Sequence, residues 1–189
     1  DGAGSYVDPY PFGSMGMGTP MAIGAAIAEQ DEAALPGRAP RRIVLVTGDG
    51  SFGFYPSEFV TAVNEKLGLS VIVANNRSWG NELLMQPAVI GRTLNADLGD
   101  IDYAAIGRAM GFVGEVVASN DALPAALDRA LASPRPSVLD VRVNEAPLEE
   151  RELTLLYSDV ENTRMRHFGG ASSEIHATAI SGYPSSSTG

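Results

Sequence analysis

The 189-residue chain contains no cysteine, which excludes disulfides, thiolate metal sites and cysteine nucleophiles. It is also short of positive charge. Thirteen lysines and arginines stand against 23 aspartates and glutamates, a formal net charge of −10, and the basic residues form no patch. A phosphate-backbone partner such as nucleic acid is therefore not expected, and any diphosphate the chain binds should arrive with a cation. No apolar run reaches membrane-spanning length and no signal peptide is present, so no membrane association is expected and a cytoplasmic protein is the default. Histidine is nearly absent too. His167 and His176 are the two in the chain, neither has a second metal-type ligand at a characteristic spacing, and no role is assigned to them.

What is present is an ordinary core. An apolar content of 44% and a mean hydropathy of +0.02 suit one soluble globular domain, placed over residues 1–150. From Arg151 the composition shifts. One more helix is expected up to Phe168, then a Ser/Gly-rich tail to Gly189 that rests against a partner domain or a cofactor entrance. At the other end the chain starts at Asp1 without methionine and runs D-G-A-G-S-Y-V-D-P-Y-P-F, which reads as the middle of a longer protein.

Between these ends strand and helix alternate. A helical pattern rich in small residues starts at Pro20, and its face M21-A-I-G-A-A-I-A28 is suited to close packing against another helix near a partner interface. Leu35–Arg42 reads as a loop. Strands are expected at Ile43–Thr47, Ser70–Ala74, Val113–Val117 and Ser137–Val143. Helices are expected at Pro56–Lys66, Asp102–Met110 and Asp121–Ala132, the last capped by Ser119 or Asn120. Short apolar strands between helices predict an α/β fold: a doubly wound parallel sheet with helices on both faces. Ligands of such sheets sit at the carboxyl ends of the strands.

Two features lie on that edge. The first is I43-V-L-V-T-G-D-G-S-F-G-F54, in which Gly48, Gly50 and Gly53 follow a strand in the spacing of a dinucleotide fingerprint. Asp49 argues against that reading, because a carboxylate facing phosphates repels them unless a divalent cation lies between. The second is Asn75-Asn76, 27 positions after Asp49 at the end of the next strand. A dinucleotide fold wants an acid for a ribose hydroxyl there, whereas an amide oxygen is a good ligand for a hard cation. Asp49 and Asn76 can converge on one Mg²⁺, and a turn through R-S-W-G could add the Ser78 carbonyl.

Gly48-Asp49-Gly50 followed by Asn75-Asn76 resembles the signature of the diphosphate-binding domain of thiamine diphosphate enzymes, and the resemblance runs from about Phe12 to Val143. The upstream F-G-S-M-G-M-G-T-P-M-A-I-G-A-A is similar to the segment beneath the cofactor's aminopyrimidine in the acetolactate synthase and benzoylformate decarboxylase group. The resemblance implies the thiamine diphosphate-binding fold, with Mg²⁺ held by Asp49, Asn76 and the Ser78 carbonyl. It also implies that Gly48, Gly50, Ser51, Trp79 and Gly80 lie near the diphosphate. Met15 matches the apolar residue that props the cofactor in its bent form, with its 4′-amino group beside the thiazolium C2 proton; otherwise Met15 is core filler.

One part is not matched. In this family a glutamate on a separate pyrimidine-binding domain activates the cofactor, and neither Glu58, Glu65 nor Glu82 corresponds to it. The resemblance therefore implies half of an active site, completed by a pyrimidine-binding domain or subunit in a hetero-oligomer. Its substrate would be a 2-oxo acid or aldehyde, and its reaction the making or breaking of a carbon–carbon bond next to a carbonyl. The run N76-R-S-W-G-N-E-L-L-M-Q86 is similar to sulfoacetaldehyde acetyltransferases, although Trp79 and Met85 also suit plain loop packing. A 2-oxo acid decarboxylase, a non-catalytic Mg-diphosphate binding subunit and a nicotinamide-dependent oxidoreductase remain the alternatives.

Overall fold

The computed structural model describes residues 6, 7, 13–38 and 40–144, without the side chains of residues 88 and 89. The helix and tail expected from residue 151, with His167 and His176, lie outside the described residues, as does Phe12.

Four short runs, rich in β-branched residues, form strands: β1 (Ile43–Gly48), β2 (Leu69–Asn75), β3 (Val113–Val117) and β4 (Ser137–Arg142). All pairings are parallel, in the order β1-β2-β4-β3. The helices are α1 (Gly18–Ala33), α2 (Asp49–Phe52), α3 (Phe59–Asn64), α4 (Gly80–Ile90), α5 (Tyr103–Ala109) and α6 (Leu123–Ala132). The chain moves in one direction across the sheet from β1 to β2 to β3, then steps back to β4. Crossovers between parallel strands are right-handed, so this reversal puts α6 on the face opposite α3 and α5.

The core divides accordingly. Leu45, Val71, Val73 and Val138 bury with Ile23 and Ala26 of α1, Phe59 and Ala62 of α3, and Tyr103 of α5. Leu139, one residue along β4 and so on the other side of the pleat, packs with Val117 against Ala126 and Ala130 of α6. This is the doubly wound α/β sheet with helices on both faces. Phe52 stacks on Phe59 at 5.1 Å and meets Tyr103 edge-on at 5.3 Å, pairs of the kind that add about 0.5–1.5 kcal/mol beyond area burial. On the second face of β1, Val44 and Val46 stay exposed, Val46 at 68%.

Several boundaries differ from expectation. Pro56–Lys66 is a 3₁₀ turn at Pro56–Glu58 followed by α3, which stops at Asn64. Lys66 then adopts a left-handed φ of 52°, turning Leu67 into the core. The helix expected from Asp121 starts at Leu123, after a 3₁₀ turn over Asn120–Ala122, and neither Ser119 nor Asn120 caps it through a side chain. Pro124 occupies its first turn, where a missing N–H is harmless. Asp102 is the cap of α5, accepting from the Ala105 N–H at 2.7 Å.

Arg42 ties the amino end of the sheet together. Its Nε donates to Ser70 Oγ at 2.6 Å, Nη1 to the Ser133 carbonyl at 2.6 Å and Nη2 to the Leu69 carbonyl at 2.9 Å, leaving the carboxyl ends to carry the site. In α1, Ala22, Ile23 and Ala26 pack on the sheet while Gly24, Ala25 and Ala28 point outward. Gly80–Ala96 belong to a second compact unit, in which Gln86 Oε1 accepts from the Leu94 N–H at 2.6 Å. Among the described residues no helix is long and apolar enough to cross a membrane.

Candidate functional site

At the carboxyl edge β1 ends in Gly48, extended at φ −75° and ψ 160°, and Asp49 opens α2. A carboxylate in the first turn is favoured by the peptide dipoles at a helix N-terminus. Asp49 is nevertheless buried, at 3% exposure. Its Oδ1 accepts from the Gly50 N–H at 2.8 Å, while its Oδ2, enclosed as well, has no hydrogen-bond partner among the described residues. Leaving a buried acceptor unsatisfied costs about 1–3 kcal/mol.

β2 delivers the second group. The register pairs Gly48 with Ala74, so Asp49 follows the end of β1 where Asn75 ends the neighbouring β2, and neighbouring strands stand about 4.8 Å apart in a sheet. Two side-chain turns shape the next residues. Asn75 Oδ1 accepts from the Arg77 N–H at 3.1 Å, and Asn76 Oδ1 from the Ser78 N–H at 3.2 Å. Between them Arg77 is left-handed at φ 62°. Ser78 forms an isolated antiparallel bridge to Asp97, and the Leu98 N–H donates to the Arg77 carbonyl at 2.8 Å. An amide oxygen has two lone pairs, so Asn76 Oδ1 can hold the Ser78 N–H and still face a cation.

The upstream segment reaches the same place. The Gly16 N–H donates to Ser51 Oγ at 2.8 Å, bringing Met15, 46% exposed, next to the first turn of α2. Gly16 has φ 84°, and a Cβ there would stand 2.7 Å from Phe54 Cβ, so only glycine suits the position. The indole of Trp79 covers Gly50, where a Cβ would come within 2.4 Å of the ring. The same indole meets Phe54 edge-on at 5.9 Å. Met15, Gly48, Asp49, Gly50, Ser51, Asn76, Ser78 and Trp79 are therefore carried by three segments that meet at one edge of one unit. Gly80 opens α4 and falls in the second unit. Glu58 and Glu65 are exposed and Glu82 lies on α4.

A second carboxylate, which the sequence pattern does not single out, lies across β2 from the first. Asp140 of β4 is fully buried, and both its oxygens are satisfied. Oδ1 accepts from Asn75 Nδ2 at 2.8 Å, and Oδ2 from the Tyr103 N–H at 3.0 Å. Arg142 Nη2 stands 3.2 Å from Oδ2. Tyr103 lies near both carboxylates. Burial, then the charges of Asp49 and Asp140, push its phenol up to about 12, against the opposing pull of Arg142. The available signal was a lone acid inside S-V-L-D-V-R-V, a strand otherwise apolar enough to be buried on both faces.

The chemistry of the donor set is that of a hard cation. Among the described residues no three acidic or histidine side chains converge, so a cation here would meet one carboxylate and neutral oxygens. Mg²⁺ is commonly held in this way, its remaining positions filled by phosphate oxygens and water. The enclosed, unpartnered Oδ2 of Asp49 fits that role.

A family described as "Thiamine pyrophosphate enzyme, C-terminal TPP binding domain" matches residues 1–141. A probable acetolactate synthase of Mycobacterium bovis is 35% identical over 139 residues, 73% of this chain and 24% of that protein. The sulfoacetaldehyde acetyltransferase of Alcaligenes xylosoxydans xylosoxydans is 31% identical over 128 residues, 67% of this chain and 20% of that protein. The crystal structure of benzoylformate decarboxylase from Polynucleobacter necessarius superposes with a TM-score of 0.61 at 27% identity, covering 69% of this chain and 24% of that one. The chain thus spans about a quarter of the length of such relatives.

Proposed function

The chain belongs to the thiamine pyrophosphate enzymes, through their C-terminal TPP-binding domain, and we propose on that basis that it is the diphosphate-binding half of an acetolactate synthase-like active site. The observation that carries this reading is the contrast between two buried carboxylates. Asp140 has both oxygens occupied by the fold, whereas Asp49 keeps Oδ2 unpartnered at the strand edge where ligands of parallel sheets bind.

In this reading Asp49 Oδ2, Asn76 Oδ1 and the Ser78 carbonyl would hold Mg²⁺, and the metal would carry the diphosphate of thiamine diphosphate. A chain with a net charge of −10 needs such a cation between its own carboxylate and the phosphates. Gly48 and Gly50 let the backbone approach the diphosphate, and Ser51, whose Oγ already accepts from Gly16, can direct its hydroxyl proton to a phosphate oxygen. Trp79 walls the site beside Gly50, and Gly80 follows it at the start of α4. Met15, beside the first turn of α2, would support the cofactor with its apolar side chain. The bound cofactor supplies the electron sink for carbanion chemistry next to a carbonyl.

The activating glutamate belongs to a pyrimidine-binding domain elsewhere in the same polypeptide or in a partner chain, and the outward Gly24, Ala25 and Ala28 face of α1 suits its approach. The substrate is a 2-oxo acid, and the reaction makes or breaks the adjoining carbon–carbon bond. Acetyl transfer of the sulfoacetaldehyde type is the second reading, supported by the run Asn76–Gln86 and by the relative of that name.

Calorimetry of the full chain with thiamine diphosphate, with and without Mg²⁺, tests the site: binding should require the metal. Turnover of pyruvate should appear only with a pyrimidine-binding domain present. Metal-independent binding would refute the site, and sustained turnover by the pure, unpartnered chain would refute the half-site. Tight metal-dependent binding without turnover in any partnered state would favour a non-catalytic subunit.

A further inference from the structure

Asp140 is as deeply buried as any residue in the sheet, yet the function above does not use it. Burying a carboxylate is costly unless it is fully hydrogen-bonded, and what this one bonds to is informative. In register, Asp140 pairs with Val73, two residues before Asn75 on the same face of β2. Its Oδ1 accepts from Asn75 Nδ2 at 2.8 Å, and the same amide also donates to the Ile101 carbonyl at 3.2 Å. With its NH₂ group held at two points, the amide can point its oxygen one way only, toward the Arg77 N–H. That bond closes the left-handed turn at Arg77, on either side of which stand Asn76 and Ser78. The other oxygen of Asp140 holds the Tyr103 N–H at 3.0 Å, and Arg142, 3.2 Å away, balances the charge.

We propose that Asp140 is a positioning residue for the metal loop, acting through Asn75. It selects the orientation of the Asn75 amide, and this sets the turn that presents Asn76 Oδ1 and the Ser78 carbonyl. The inference rests on the metal-site reading above. An asparagine at position 140 has one accepting oxygen and an NH₂ group in place of the other, so it forces either Asn75 or the start of α5 to give up a bond. Partners that orient metal ligands from behind commonly matter 10–100-fold in affinity.

The test uses the full chain and three variants: Asp140→Asn, Asn75→Ala and the pair together. Mn²⁺ affinity is read by electron paramagnetic resonance in the presence of thiamine diphosphate, and amide hydrogen exchange at Arg77 and Ser78 is read without metal. Each single variant should weaken Mn²⁺ binding roughly tenfold and speed exchange at Arg77 about as much. The double variant should be no worse than either single one, because both cut the same chain of contacts. Unchanged exchange at Arg77 in Asp140→Asn, or losses that multiply in the double variant, would overturn the proposal. Should Asp140→Asn not fold, the Asn75 side-chain NH₂ signals of the parent decide: both protons should exchange slowly, being held by Asp140 and the Ile101 carbonyl, and fast exchange of either would overturn the proposal. Asp49→Ala separates the two readings. If it leaves Mn²⁺ affinity intact while Asp140→Asn loosens Arg77, the metal site is wrong and Asp140 still orders the loop. If it abolishes binding while Asp140→Asn changes nothing, the positioning role alone fails.

Discussion

Asp49→Ala should separate stability from function. Truncation removes an enclosed oxygen that has no partner, a relief of about 1–3 kcal/mol. It also deletes the bond from the Gly50 N–H, about 0.5–1.5 kcal/mol, and a charge at the start of α2, about 0.3–1 kcal/mol. These nearly cancel, leaving the metal-free chain within about 1 kcal/mol of the parent. At about 2–4 °C per kcal/mol for a chain of this size, Tm should move by no more than a few degrees. Ligand changes the balance. With Mg²⁺ and thiamine diphosphate at about one hundred times Kd, the parent should gain about 2.7 kcal/mol, a rise of roughly 5–10 °C, and the variant should gain nothing. Thermal denaturation of both proteins, with and without the two ligands, gives the four values needed. An equal ligand-induced rise in the variant would refute the metal assignment. A metal-free loss of several kcal/mol would instead make Asp49 a structural residue like Asp140.

Gly50→Ala should displace the indole that a Cβ would approach within 2.4 Å; since Trp79 is the one tryptophan of the chain, its fluorescence should report the shift together with weaker cofactor binding, and an unchanged spectrum would refute the contact. Met15→Ala should lower turnover of the partnered enzyme more than it weakens cofactor binding, if the diphosphate is anchored at Asp49; normal turnover with only a lower Tm would leave Met15, 46% exposed, with a packing role alone. Tyr103 holds its proton up to about pH 12 against about 10 when unfolded, so its contribution to stability is complete below about pH 10 and is lost as the pH rises from there to 12. The ultraviolet titration of the parent minus that of Tyr103→Phe should show Tyr103 ionising only with unfolding, and its ionisation in the folded chain near pH 10 would contradict its environment. Arg42→Ala leaves the Ser133 and Leu69 carbonyls without their donor and should cost about 2–4 kcal/mol while the metal-free exchange of Arg77 stays unchanged; accelerated exchange there would show that the two ends of the sheet are coupled.

Much of this protein is written locally. The strand runs carry their own β-branched signal, and Val113–Val117 has the bounds its pattern predicts. The glycines around Asp49 and the doubled asparagine can be picked out in the sequence as a candidate site, since both follow apolar strand runs and the asparagines offer oxygens without charge. Those features are short-range, so periodicity and residue chemistry expose them. Helix starts were less legible. Ser119 and Asn120 look like caps, but the 3₁₀ turn and Pro124 decide where α6 starts, and Lys66 ends a helix in a left-handed turn that no local preference demands. Only the tertiary structure distinguished the two carboxylates. In the sequence Asp49 and Asp140 are both acids at or near strand ends, 91 positions apart. The strand order sets β4 beside β2 and passes Asp140 under Asn75, so its oxygens meet an amide, a helix N–H and a guanidinium. Asp49, just past the end of β1 on the other side of β2, meets one N–H and has an oxygen with no partner among the described residues. Which acid is structural and which is left open depends on what long-range pairing places against it, and no local preference of the chain encodes that.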